Sequence, residues 1–165
     1  MAPTENARED IDAIALLTDD HELVRQLFED YENLVDSGAG DDERQVLADR
    51  ICTLLTIHAT IEEEIFYPAA REVLEEQDLL DEAEVEHASA KDLIEQIQDM
   101  DASEELYDAK LKVLGEYVEH HVREEEDEIF PKARISEMDL ETLGGELAER
   151  RHELLAEIGE EEEEF

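Results

Sequence analysis

The sequence predicts an all-α protein, a bundle of helices, on three observations. Only 6 Gly and 3 Pro interrupt its 165 residues. Ala, Leu, Glu and Asp dominate while aromatics make up 5% of the chain, a balance that favours helix over strand. Apolar residues recur in alternating steps of three and four, the spacing of one helix face. The length suits one domain with its own core. We expect residues 1–135 to form the bundle and residues 136–165 to add a C-terminal helix and an acidic tail to it.

The first segment places Ile14, Leu17, His21, Val24, Phe28, Tyr31 and Val35 on one face and stops at Ser37-Gly38-Ala39-Gly40. Asp41 or Asp42 is expected to cap the next helix. Its face reads Leu47, Ile51, Leu54, His58, Ile61 and Ile65, and Pro68 predicts a kink before the chain runs on to about Gln77. A third segment carries Leu80, Ala83, His87, Ala90, Ile94 and Ile97 and ends near Met100. A fourth, capped by Asp101 or Ser103, turns Leu106, Val113, Leu114, Tyr117 and His121 inward and reaches Pro131. Ser136-Glu137-Met138-Asp139 has the form of a capping box. A fifth pattern follows, Leu140, Leu143, Leu147, Leu154 and Ile158, broken by Gly144-Gly145 and expected on the outside of the bundle. Glu160 to Glu164 is a run of like charge expected to fray.

Charge is extreme, with 52 acidic against 13 basic residues and a formal net charge of −39. Such a surface repels nucleic acid and suits concentrated salt, as in halophilic proteins. Disorder is excluded because 41% of the residues are apolar and periodic. The sequence contains neither a signal-like apolar start nor a membrane-length apolar run, so a cytoplasmic protein is expected. The single Cys52 lies in an apolar stretch and reads as a buried, inert thiol.

The chemistry lies in a repeat. HATIEEEIFYP begins at His58 and HVREEEDEIFP at His121; they agree at His, at Glu four later and at Pro ten later. The matched residues are His58, Glu62 and Pro68, then His121, Glu125 and Pro131, as an internal duplication would leave them. Each copy is preceded by a further histidine, His21 after Asp20 and His87 after Glu86. Residues at i and i+4 share a helix face, so each His-x-x-x-Glu aims an imidazole and a carboxylate at one point. Burying these groups bare is unfavourable unless they neutralise one another or hold a cation. Four imidazoles and two carboxylates, His21, His58, Glu62, His87, His121 and Glu125, suit iron, manganese, cobalt or zinc, two ions each taking two histidines with the glutamates bridging.

His120 with Glu124 also reads His-x-x-x-Glu, but only His121 and Glu125 keep the register to proline, which leaves His120 as a flanking residue or one that supports a ligand from behind. His152 reads as a surface or interhelical residue. Asp20 and Glu86 read as surface charges, with orientation of an imidazole as the alternative. Tyr31, Phe66, Tyr67, Tyr117 and Phe130 read as core aromatics, some of them walling the metal pocket.

The segments DDHELVRQLF, HATIEEEIFYP, EHASAKDLI and HHVREEEDEIFP, in this order over about residues 14–134, resemble the hemerythrin-like family of HHE cation-binding domains. The resemblance implies an antiparallel up-down four-helix bundle holding a non-haem, carboxylate-bridged di-iron centre that reacts with oxygen, nitric oxide or peroxide. Lys91 stands where the oxygen carriers have a further histidine, and Glu125 follows His121 by four where they have His-x-x-x-x-Asp. The first departure points to sensing, nitric oxide handling or iron binding in place of reversible oxygen carriage, and the second to the broader cation-binding branch of the family. The leading expectation is a protein that binds iron, or another divalent metal, and a small diatomic ligand. The alternatives are a di-iron enzyme that reduces peroxide or nitric oxide or oxidises ferrous iron, and a metal-free acidic interaction protein.

Overall fold

In the computed structural model, residues 11–163 are described, with side chains through residue 159. The fraying expected of Glu160 to Glu164 concerns side chains outside that range. Among the described residues the chain is helical and contains no strand. Its α-helical segments are α1 (Ala13–Asp36), α2 (Asp41–Ile61), α3 (Tyr67–Val73), α4 (Gln77–Gln98), α5 (Tyr107–Glu124), α6 (Phe130–Arg134) and α7 (Leu140–Glu163). The pairs α1/α2, α4/α5, α1/α5 and α2/α4 close an antiparallel four-helix bundle, and α7 lies against α1 and α2.

Helix α1 ends as its sequence dictates. Gly38 adopts φ 74°, the left-handed conformation that glycine enters without a Cβ penalty. Ala39 N–H then reaches the Leu34 carbonyl at 2.9 Å and Gly38 N–H the Val35 carbonyl at 3.1 Å, closing the helix end. The cap of α2 differs from expectation. Gly40 occupies the cap, while Asp41, Asp42 and Glu43 fill the first turn, where their charge favours the helix dipole.

The fourth helix begins later than its face pattern implied. Residues 101–106 form turns, with Asp101 accepting from Ser103 N–H at 3.3 Å. Helix α5 then buries Tyr107, Leu111, Leu114 and Val122, while Leu106, Val113 and Tyr117 stay exposed. A face phased from Tyr107, one residue on from Leu106, is the one the helix buries.

Two helices carry an irregularity that positions the site. Glu62–Phe66 and Glu125–Ile129 are single π-helical turns, in which Tyr67 N–H reaches the Glu62 carbonyl and Phe130 N–H the Glu125 carbonyl. Pro68 and Pro131 come next in the following segments, α3 and α6. Proline lacks an N–H and its ring crowds the carbonyl four residues back, and the wider turn just ahead accommodates it. The kink expected at Pro68 is therefore a π turn before it, and the helix ends at Val73, short of Gln77, where α4 already starts. A π turn also aligns residues five apart, which brings Tyr67 over Glu62 and Phe130 over Glu125.

Helix α7 is capped by Asp139, whose carboxylate accepts from Thr142 N–H at 3.2 Å. It runs unbroken through Gly144-Gly145, contrary to the expected break. Gly144 is required by close packing: a Cβ there would lie 2.6 Å from the Ile11 carbonyl oxygen and 2.9 Å from Ala13 N. Leu147, one turn on, is fully buried. Gly144→Ala is expected to cost about 1–3 kcal/mol and lower the thermal midpoint by roughly 2–10 °C. Gly145→Ala, whose Cβ meets nothing within 4 Å, should not destabilise, and calorimetry of both variants checks the pair.

The core forms two apolar clusters. One gathers Leu16, Leu17, Ile61, Phe66, Leu80 and Leu147, and the other Val24, Ile51, Cys52, Ile94, Leu111 and Leu114. Cys52 is fully buried, and burial pushes its thiol up to about 12, so it is inert as expected. Between the clusters lies a polar layer of histidines and glutamates.

Candidate metal centre

The six side chains singled out by the repeat meet in that layer. Glu62 and Glu125 are 0% exposed, and His21 and His87 are buried, with His58 and His121 nearly so. Each carboxylate stands between a histidine of its own helix and one from the other half. Glu62 Oε1 is 3.3 Å from His58 Nε2 and 3.2 Å from His87 Nε2. Glu125 lies 3.4 Å from His121 Nε2 and 3.0 Å from His21 Nε2. Two groups able to hold a metal ion result, His21-His58-Glu62-Glu125 and Glu62-His87-His121, with Glu62 in both.

The imidazoles are held from behind. His21 Nδ1 lies 2.7 Å from Glu126, His58 Nδ1 3.0 Å from Asp20, His87 Nδ1 2.9 Å from Glu63 and His121 Nδ1 2.8 Å from Glu86. A carboxylate on Nδ1 fixes the ring and frees Nε2, the arrangement that supports metal-binding histidines. The four pairs obey the two-fold relation of the duplication. Asp20 serves His58 as Glu86 serves His121, and Glu126 serves His21 as Glu63 serves His87. The surface reading of Asp20 and Glu86 is thus overturned. A residue beside a histidine points away from it on the same helix, and so reaches the histidine of the neighbouring helix instead.

Glu63 and Glu126 went unremarked in the sequence, although each follows its buried glutamate directly in both copies, a signal the repeat contained. Lys91, four residues after His87, turns outward to Glu63 at 2.5 Å. Arg25, four after His21, lies 3.6 Å from Glu126. His120 is 68% exposed and touches Glu86 and Glu124. His152 is exposed, as expected.

Tyr67 exceeds its reading as a core aromatic. Its hydroxyl donates to Glu125 Oε2 at 2.5 Å and lies 3.1 Å from His121 Nε2 and 3.4 Å from His87 Nε2. Phe130, its counterpart in the other copy, has no hydroxyl and stacks on His21 with ring centroids 5.9 Å apart.

The electrostatics favour a cation. Burial opposes protonation of His58, but Glu62 and Asp20 outweigh it and push the imidazole up to about 10. His121, likewise buried, is pushed up to about 11 by Glu125 and Glu86. Burial and the flanking carboxylates push the Tyr67 hydroxyl well up, and Glu125, despite burial, is held well below its usual range by His121 and His21. Even so, His21 Nε2, His58 Nε2, Glu62 Oε2 and Glu125 Oε1 are buried and make no well-aligned hydrogen bond, although His21 Nε2 and Glu125 Oε1 lie 3.0 Å apart. Four such atoms in one spot, two nitrogen and two oxygen, fit a divalent ion of borderline softness.

A cavity of about 60 Å³ adjoins all four histidines and is walled by Val24, Leu55, Ala59, Ala90, Ile94 and Val118. The two buried glutamates do not line it, so it meets the layer from its histidine side.

Comparison with known proteins bears on the family and the fold. A crystal structure of a hemerythrin HHE cation-binding domain-containing protein from Mycobacterium kansasii superposes with a TM-score of 0.72 at 26% identity, covering 87% of each chain. A DNA nickase of Nostoc sp. is 30% identical over 128 residues, 77% of this chain and 35% of that protein, so the chain spans about a third of that relative's length. Residues 12–133 match the hemerythrin HHE cation-binding domain, and the chain therefore belongs to that family.

Proposed function

We propose that the protein holds two metal ions, iron in the first place, in the buried layer and binds a small diatomic ligand, oxygen or nitric oxide, for sensing, scavenging or storage. His21 and His58 would hold one ion, His87 and His121 the other, with Glu62 and Glu125 shared between them. The observation that carries the reading is the convergence of four Nε2 atoms, each oriented from behind, on two fully buried carboxylates. When bound, such a centre supplies an electron-rich metal with room for an outer ligand. The chain's own contribution is to fix the four rings, exclude bulk water and offer the apolar cavity as a waiting place for a small, uncharged molecule.

The test is the metal content of protein purified without oxygen from iron-supplemented cells. About two irons per chain supports the reading, and none at all sinks it in favour of the metal-free interaction protein. Ala90→Leu is expected to fill the cavity without touching the metal. Nitric oxide uptake, followed by stopped-flow, should slow by about tenfold or more, as a barrier raised by 1.4 kcal/mol requires, at unchanged metal content.

Turnover of peroxide or nitric oxide is a second reading, and Tyr67 favours it. A buried hydroxyl between Glu125 and His121 is placed to pass a proton inward. Sustained consumption by the reduced protein with an electron donor, lost in Tyr67→Phe at constant metal content, would establish it. Stoichiometric, reversible binding alone would remove it.

DNA nicking is not part of this proposal, because the shared portion is a minor part of the nickase and a charge of −39 opposes approach to a polyanion. We place the protein in the cytoplasm of a cell with concentrated salt; among the described residues no helix is long and apolar enough to cross a membrane. Its unfolding midpoint should rise from low to molar salt, as screening shortens from about 10 Å at 0.1 M to about 3 Å at 1 M. A midpoint indifferent to salt would remove the halophilic reading.

A further inference from the structure

The four carboxylates that orient the histidines differ in what holds their second oxygen. Glu126 Oε1 has Arg25 Nη2 at 3.6 Å, Glu63 Oε1 has Lys91 Nζ at 2.5 Å, and Asp20 Oδ1 has Arg151 Nη1 at 2.5 Å. Each is thus gripped between an imidazole and a permanent cation. Glu86 is the exception. Its Oε1 lies 2.8 Å from His121 Nδ1, while its Oε2 lies 3.4 Å from His120 Nε2. Glu124 Oε1 approaches that same nitrogen at 3.3 Å. Among the described residues no Lys or Arg reaches Glu86.

We propose that the missing cation is a divalent metal ion, held at the surface by Glu86, His120 and Glu124. One atom from each of the three lies within 4.8 Å of the others. His120 and Glu124 are four apart on α5, an outward copy of the inward pair His121 and Glu125 set one residue back. Two carboxylates with one imidazole favour a transition ion or zinc over sodium or magnesium, since the nitrogen adds little for a hard cation. Asp81 and Glu82 line the same depression and raise the local concentration of cations. Because Glu86 also orients His121, an ion here acts as Arg151 does for Asp20: it fixes the carboxylate behind an imidazole of the buried layer.

Equilibrium dialysis of the iron-loaded protein against Zn²⁺, with iron and zinc counted separately, tests the site. The parent should take up one zinc per chain with its iron retained. His120→Ala and Glu124→Gln should bind that zinc more weakly by about tenfold or more, again with iron unchanged, and His152→Ala should match the parent. Equal zinc uptake in the parent and the two site variants, or no uptake by the parent, overturns the proposal. Protein that carries no iron would count against the buried centre alone. The zinc difference between parent and His120→Ala would still decide the outer site.

Discussion

Glu125→Ala is expected to leave the chain with well under one metal ion where the parent holds about two, and Glu62→Ala to do the same. Each carboxylate faces a histidine from both halves, so removing either one takes a donor away from a ring of each half. Loss of affinity should exceed the 10–100-fold that follows removal of a supporting partner. Glu126→Gln and Glu63→Gln supply that lesser case, since they loosen only the ring of His21 or His87. The order of metal content should therefore be parent, then Glu126→Gln, then Glu125→Ala, with His152→Ala equal to the parent. Circular dichroism keeps the series interpretable, because the alanine variants leave an imidazole without its carboxylate in the interior and so weaken the fold. Glu125→Gln, which preserves volume and hydrogen bonding, separates that loss of stability from loss of a donor. Equal metal in all of these variants would end the assignment of the six residues.

The six residues were legible because a duplication wrote them twice. A single histidine on an apolar face carries little information, but His-x-x-x-Glu at a fixed distance from proline in two copies fixes both register and direction. The orienting shell was harder to read. Asp20 and Glu86 reach across to another helix, and because neighbours in sequence point apart on a helix both read as surface charges. Which helix neighbours which is a property of the folded bundle, so His58 could not be matched to Asp20 from spacing alone. The π turns had no signal beyond the prolines that follow them. An α-helix through Glu62 would have set Phe66 over it, and the extra residue of the π turn sets Tyr67 there instead. That one-residue shift is why the hydroxyl nearest the buried histidines and glutamates read as core. Helix α7 was placed correctly on the outside, but its Gly144 was read as a break. Glycine between apolar positions signals either a bend or a close approach, and only the neighbouring backbone at Ile11 decides between them.

The two halves are equal in their donors and unequal in their surroundings. Tyr67 faces Phe130 across the two-fold relation, and Arg151 on Asp20 has no counterpart on Glu86. Helix α7 supplies Arg151 and packs chiefly on the first half. Two ions bound here would therefore sit in similar donor sets with different hydrogen-bond environments, since Tyr67 of the first copy brings its hydroxyl to His87 and His121 of the second.

Metal uptake at neutral pH should release about two protons per chain. In the metal-free protein His58 and His121 are held at about 10 and about 11 by the carboxylates around them, so both rings are protonated at pH 7, and a metal ion requires them neutral. Glu125 is held well below its usual range and has no proton to give up. Apparent affinity for Zn²⁺ should then rise by about two powers of ten per pH unit between roughly pH 7 and 9, the slope equalling the number of protons displaced. The same shifts govern the stability of the metal-free fold. Both imidazoles are raised above their ordinary value of 6.5, so their contribution is complete below about pH 6.5 and drains away as the pH climbs through 10 and 11. Glu125, shifted downward, contributes above its ordinary value of 4.5 and loses its contribution only as the pH falls through its depressed folded value. The metal-free protein should accordingly weaken from neutral pH upward, and the metal-bound protein, whose rings are already neutral, should not. Urea unfolding of both forms at a series of pH values, with His121→Gln as the variant that flattens the metal-free curve, measures the difference. Proton release near zero on zinc uptake, followed with an indicator dye in weakly buffered solution, would show that the rings are neutral before the metal arrives.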